Sequence, residues 1–517
     1  ASNGNMSFSR GDVPATQDAV NVDDVNAAPE AVLLSNNITG MALADAAKLV
    51  SITNFSANGK TIAISDSISN AASSLLAVDA AFSAVDASTL TTLSGTAADV
   101  NAAYASVRIS GLGNEAVTLG DTTLAAATLN TVNGNTTGVV NAASVTTLTG
   151  TAADVNAAYT ANTAGEISGL GNEAVTLGDT TLAAATLNTV NGNTTGVVNA
   201  ASVTTLTGTA ADVNAAYTAN TAGEISGLGN EAVTLGDTTL AAAMLNTVNG
   251  NATGVVNAAS VTTLTGTAAD VNAAYTANTA SEISGLGNEA VTLTDGTFSA
   301  DTISSVAAKT TGALNVAGAD TVTGSAASIS TLIAGGRVQF AADVDFTISA
   351  GAVDAADLIS MNAATTGVVD ARDVTTIEGT AADVLQILGD AGITNPVTFT
   401  VKLVAGSNDA ADVTGLFAFD AVALVNAASV TNLTGSIAEI NAVLVHANIT
   451  KPITMTATVD AGSEAAADLT TLLAQANVTS VSAAAVTTLT GTATEVLAVL
   501  NEANITDPTA ATVTIDA

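Results

Sequence analysis

The 517-residue chain holds one histidine, His446, and no cysteine, so a catalytic triad or a nitrogen and sulfur metal site lacks its usual members. His446 lies in "INAVLVHANIT", near the end of an apolar helical stretch, where a helix-terminal structural role is expected. The "GKT" at 59–61 has Asn54 where a phosphate loop needs its first glycine. "GLGN" lacks the third glycine of a dinucleotide fingerprint and occurs four times, as a turn does. Glu173 with Asp179, or Asp212 with Glu224, has the composition of an acid and base pair. These acids return in every repeat, whereas an enzyme needs one distinctive constellation. No catalytic, cofactor-binding or metal-ligating residue is therefore assigned, and the chain is read as a non-enzyme.

Repetition explains the recurring acids. Residues 148–205 and 206–263 differ at two positions only, where Thr186 and Thr194 become Met244 and Ala252. The last apolar residue before each helical segment recurs at Leu148, Leu177, Leu206, Leu235, Leu264, Leu293 and Val322, every 29 residues. Upstream the same marker is Leu34, Ile64, Leu93 and Leu119. Downstream it is Ile348, Ile377, Leu403, Leu433, Val459, Leu489 and Ile515, with steps of 26 and 30, which gives 18 candidate coils.

Each unit joins a β-rich stretch such as "SVTTL" to an Ala-rich stretch such as "GTAADVNAAY" with good helix propensity. In Thr209-Ala210-Ala211-Asp212 the hydroxyl is placed to accept from the third helical amide, and the acid sits in the first turn. Ala210, Val213 and either Ala216 or Tyr217 share one face at helical spacing. One strand and one helix cannot bury their own apolar faces, so each unit must stack on the next. The expectation is α/β: an elongated β/α solenoid of about 18 coils, roughly 85 Å long at the usual strand spacing. An all-β solenoid is the alternative. Stacking predicts Leu177, Leu206 and Leu235 as near neighbours. Asn141, Asn199, Asn257 and Asn426 are either hydrogen-bonded ladders along the interior or plain turn residues.

The chain divides into residues 1–33, a non-repeat arm or cap containing Arg10, Asp12, Pro14 and Pro29; 34–347, with 29-residue units; and 348–517, with alternating 26- and 30-residue units. "ITDPTAATVTIDA" at 505–517 stops where a helix should follow, leaving an unfinished coil and a strand edge. The chain begins with Ala1, consistent with a leader already removed.

A formal charge of -37 disfavours nucleic acid and anionic membrane surfaces, and no apolar run suggests a membrane span. Asp154, Asp212 and Asp270 form one row of acids at two-coil intervals. Glu115, Glu173, Glu231 and Glu289 form a second, and Asp121, Asp179, Asp237 and Asp295 a third. Such rows are expected to repel in dilute buffer and to gain from salt or calcium, the one cofactor this pattern suggests.

"LTGTAADVNAAY", "ISGLGNEAVTL" and "TTGVVNAASVTTLTGTAADV" resemble the very long Thr- and Ala-rich repeat proteins on the cell surface of marine cyanobacteria, which include a giant protein associated with swimming. The likeness covers about residues 88–300 and returns more weakly over 364–500. It implies an exported, cell-surface structural role, with cell-surface polysaccharide as a neighbour, and supplies no functional residues. With the open edge and the arm, the expected function is an extracellular protein that self-assembles head to tail, as a homo-oligomer, into a filament or surface layer. The alternative is an adhesin stalk or a surface-binding module whose Thr-rich face meets a ligand or ice.

Overall fold

At Gly208 the chain leaves a strand with φ +142°, a conformation that glycine adopts without a side-chain penalty, and Thr209 then caps the helix Ala210–Ala222. The Thr209 hydroxyl accepts from the Asp212 amide at 3.1 Å and donates to the Asp212 carboxylate at 2.7 Å. Thr96, Thr151, Thr267, Thr380 and Thr492 sit in the same position before later or earlier helices, so this local signal sets where helices begin. Ala210, Val213, Ala216 and Tyr217 are all buried, and both candidates for the last place on the apolar face contribute to it.

The computed structural model describes residues 32–66 and 70–516. Among them, 17 helices alternate with short parallel strands, giving a β/α solenoid rather than the all-β alternative. A helix follows each expected marker from Leu34 to Leu489, directly after the strand of Leu148, Leu206 or Leu264, but after Leu119, Leu177, Leu235 and Leu293 a further short strand intervenes, burying Leu124, Leu182, Leu240 or Phe298, so these four are not the last apolar residues before their helices. The described residues form two compact units: the first runs up to Thr238 and takes in Met244–Val261 and Ala277–Gly285, and the second holds Thr239–Ala243, Thr262–Thr276 and the residues from Leu286 on.

In the first unit, the strands Thr123–Ala125, Thr147–Gly150, Ala174–Leu177, Val198–Asn199 and Ile225–Ser226 pair in that order, all parallel. Their central residues, Leu124, Leu148, Val175, Val198 and Ile225, lie opposite one another and are all buried. The second unit repeats the plan with Val353, Ile377, Val401, Val425 and Ile449. Strands this short cannot hold a sheet by themselves, and the burial of at least one apolar side chain on each of them supplies the common core.

The spatial register differs from the sequence period. Leu206 lies opposite Leu182 and Val233, whereas Leu177 lies opposite Gly150 and Leu235 opposite Gly208. Leu206 and Leu235 thus sit on neighbouring strands two residues out of step, as Leu148 and Leu177 do, whereas Leu177 and Leu206 belong to different sheets and are not strand neighbours, contrary to the expectation. Leu148 to Val175 is a step of 27 residues and Val175 to Val198 one of 23, both short of 29. Paired positions therefore move backwards through the repeat from strand to strand, and a sheet ends after about five strands while the next has already begun.

Helices also bond along the stack. Asn101 Nδ2 donates to the Thr128 carbonyl at 3.2 Å, Asn130 to that of Asp154 at 2.9 Å, and Asn188 to that of Asp212 at 2.9 Å. The asparagines singled out as ladder candidates behave differently. Asn141, Asn199, Asn257 and Asn426 each accept through Oδ1 from the amide two residues on, at 3.0–3.1 Å, which is a turn. The inter-coil role belongs to helical asparagines instead.

Candidate functional site

The three rows of acids have separate tasks. Tyr159 donates its phenol to the Glu173 carboxylate, which also accepts from the amides of Gly171 and Asn172 at 2.8 and 3.1 Å. Tyr104 with Glu115 and Tyr275 with Glu289 repeat the pairing. Glu115, Glu173, Glu231 and Glu289 are buried, so they are not the solvated row that charge counting suggests. Burial and the facing carboxylate push each of the four tyrosine phenols well above the ordinary range. "GLGN" is the loop that delivers the amides.

Asp179 and Asp237 reach back one coil. Their carboxylates accept from the first helical amides of Ala152 and Ala210 at 2.8 and 2.7 Å, and Asp121 and Asp295 do the same for Ala97 and Ala268. A carboxylate at a helix N-terminus is favoured by the exposed amides and the dipole. Asp154, Asp212 and Asp270 bind their own capping threonines. All three rows consequently carry hydrogen bonds that offset part of the expected repulsion.

These partners separate the acids that might have worked as pairs. Asp212 lies in the first turn of the 13-residue helix Ala210–Ala222 and Glu224 beyond its end, roughly 20 Å away along the axis. Glu173 and Asp179 flank the strand Ala174–Leu177 and serve different groups. His446 ends the helix Ile437–Val445, stacks on Phe417 with ring centroids 3.9 Å apart, and accepts at Nδ1 from the Asn448 amide at 3.2 Å. Lys60 of "GKT" follows a turn and its amide bonds Ala57, leading into a strand rather than a helix. Among the described residues no group of three or more acidic or histidine side chains is placed to hold a metal ion, and no helix is long and apolar enough to cross a membrane.

The outward sheet face carries threonine in short rows. Thr149 and Thr176 lie side by side, but Ala125 precedes them and Asn199 and Ser226 follow. In this sheet other residue types break the hydroxyl row, whereas Thr434, Thr458, Ser482 and Thr506 lie side by side across four strands.

Thr512–Ile515 is the last strand among the described residues. It pairs in parallel with Thr488–Gly491 and stands at the edge of a three-stranded sheet, next after Ser463–Ala465 and Thr488–Gly491. Val513 is 46% and Ile515 51% exposed, whereas Val401 and Leu403 at the matching places of an internal strand are 0% exposed. Leu500 of the adjoining helix is 45% exposed, against 6% for Leu388. Of the expected arm, residues 1–31, with Arg10, Asp12, Pro14 and Pro29, lie outside the described residues. No protein-family model and no curated protein sequence matches the chain.

Proposed function

We propose that the chain is an extracellular structural protein that assembles head to tail into a filament or surface layer by strand addition between subunits. The observation that carries this reading is the stack itself, in which the parallel strands of successive coils pair and bury one aligned apolar row, as from Leu124 through Leu148, Val175 and Val198 to Ile225. A parallel solenoid gains by adding coils, because each new one buries the apolar face of the last. A contact between two unlike ends does not close on itself and so propagates. The wording of the repeats, which resembles cell-surface repeat proteins, supports the extracellular setting, and near-identical copies suit a molecule that multiplies length or area.

Electron microscopy of the purified chain tests the proposal. Filaments or sheets that lengthen with rising protein concentration are expected. Deletion of residues 1–33 asks whether the arm takes part. Particles that stay single over a wide range of concentration would overturn the assembly reading.

A further inference from the structure

The loop around each Tyr–Glu pair is built alike in all four repeats, except that one of them lacks a single hydroxyl. In three repeats a threonine just after a helix lies over the pair: Thr136, Thr194 and Thr310 each donate to the carbonyl of Glu115, Glu173 or Glu289 and accept from the amide two residues on. The same hydroxyl lies within reach of the phenol of Tyr104, Tyr159 or Tyr275 and offsets part of the rise that burial imposes on it. One small group thus serves three partners. In the fourth repeat the position is Ala252.

The backbone around Ala252 keeps the shape of the other repeats. A Cβ at Gly254 would stand 2.4 Å from the Glu231 carbonyl oxygen, against 2.3 Å for Gly196 and Glu173, so the two coils approach equally closely. Tyr217 and Glu231 are only 3% and 1% exposed, and Glu231 Oε2 accepts from the amides of Gly229 and Asn230 at 2.8 and 3.1 Å as its counterparts do. The difference lies in the remaining atoms. Tyr159 and Tyr275 bond the Oε1 of Glu173 and Glu289, whereas the Tyr217 hydroxyl and Glu231 Oε1 are both buried without a hydrogen-bond partner among the described residues. A buried polar atom left unpaired is costly, and protein interiors meet that need with ordered water.

From these groups we infer that Ala252 makes a binding site for one water molecule, which takes the place of the threonine hydroxyl. Threonine exceeds alanine by two heavy atoms, and a water, whose share of liquid volume is about 30 Å³, is of that size. The water donates to the Glu231 carbonyl and to Glu231 Oε1, and it accepts from the Gly254 amide and the Tyr217 hydroxyl. These are the bonds a buried water commonly makes. Ala252 is half-buried, so solvent reaches the site along the turn. The tie between coils is then an exchangeable molecule in this repeat and a side chain in the other three.

Crystal structures of the chain and of its Ala252→Thr variant test the site. An ordered water is expected in the parent at hydrogen-bonding distance from the Gly254 amide and the Glu231 carbonyl, with the threonine hydroxyl at the same point in the variant. A direct bond between Tyr217 and Glu231 with no water beside Gly254 would overturn the inference. Oxygen-17 relaxation dispersion, which counts long-lived internal water, checks it in solution. Its amplitude should fall by the contribution of one molecule in Ala252→Thr and rise by as much in Thr194→Ala, which opens a second such site. Circular dichroism verifies that each variant is folded, and an amplitude that neither folded variant changes would also overturn the site.

Discussion

Tyr159 and Glu173 face each other inside the stack, the phenol on a helix and the carboxylate on the loop leading to the next strand, joined by a hydrogen bond. The chain has four tyrosines and no tryptophan, and all four tyrosines occupy this position in successive repeats. Their folded values lie above the ordinary value of 10.0, chiefly through burial. A raised value means that the neutral phenol is favoured by folding: this stability is complete below pH 10 and is lost as the pH rises beyond it. At about pH 11 a free phenol is roughly nine-tenths ionised. Absorbance of the tyrosinate should therefore stay near zero at that pH and appear together with loss of helical circular dichroism. Smooth ionisation around pH 10 in the folded protein would refute the pairing.

Removing the phenol should expose the need of the carboxylate. Tyr159→Phe keeps the ring and leaves Glu173 with its backbone donors only. The expected cost is about 2 kcal/mol, as for a lost bond to a buried charged group. Denaturant unfolding should show it as an earlier transition, and the double variant with Glu173→Gln should recover part of the loss.

Glu464 stands in the central row of its sheet, opposite Leu489, where other sheets begin with Leu124, Leu182 or Leu240. Burial and then the nearby Asp468 raise its carboxyl above the usual glutamate range. The protonated form is thus favoured by folding, and the charged form costs stability at neutral pH, a cost that recedes as the pH falls. Glu464→Leu should stabilise the chain at pH 7 by about 1 kcal/mol, by removing this partly buried charge and adding apolar burial. The gain over the parent should narrow below pH 5; thermal melts from pH 7 to 4 measure it, and a constant gap would exclude the charge as its source.

Much of the architecture is legible before any coordinate. The strand and helix compositions alternate with a fixed period, and Thr209 with Asp212 marks a helix start through bonds between residues three apart. What is hidden lies between coils. Neither the 27- and 23-residue steps, nor the capping of Ala210 by Asp237, nor the asparagine bonds from helix to helix follow from local propensity. They depend on how loops bring separate backbones together. The acids of the Glu173 row look like surface charge in the sequence because their donors are loop amides and a tyrosine 14 residues away.

One such loop approach explains a glycine. A Cβ at Gly196 would run into the carbonyl of Glu173 on the neighbouring coil, whereas one at Gly165, with φ +80°, would meet nothing within 4 Å. Gly165→Ala should cost about 1 kcal/mol through backbone strain alone. Gly196→Ala must also push two backbones apart, and about 3 kcal/mol is expected. Equal losses in denaturant unfolding would show that the approach is soft.

The two near-identical repeats contain their own experiment. Thr194 Oγ1 donates to the Glu173 carbonyl at 2.6 Å and accepts from the Gly196 amide at 3.0 Å, tying the turn to the coil beneath it. Thr136 and Thr310 make the same two bonds, to Glu115 and Gly138 and to Glu289 and Gly312. At the corresponding place beside Glu231 the chain has Ala252, which has no hydroxyl to make either. Ala252→Thr should therefore add both bonds without a clash, since the backbone there follows the other copies, and raise stability by about 1 kcal/mol. Thr194→Ala should lower it by a similar amount. Hydrogen exchange localises the effect: amides of residues 252–257 should gain protection in the first variant and those of 194–199 lose it in the second, because a turn held by side-chain bonds opens less often than one held by backbone alone.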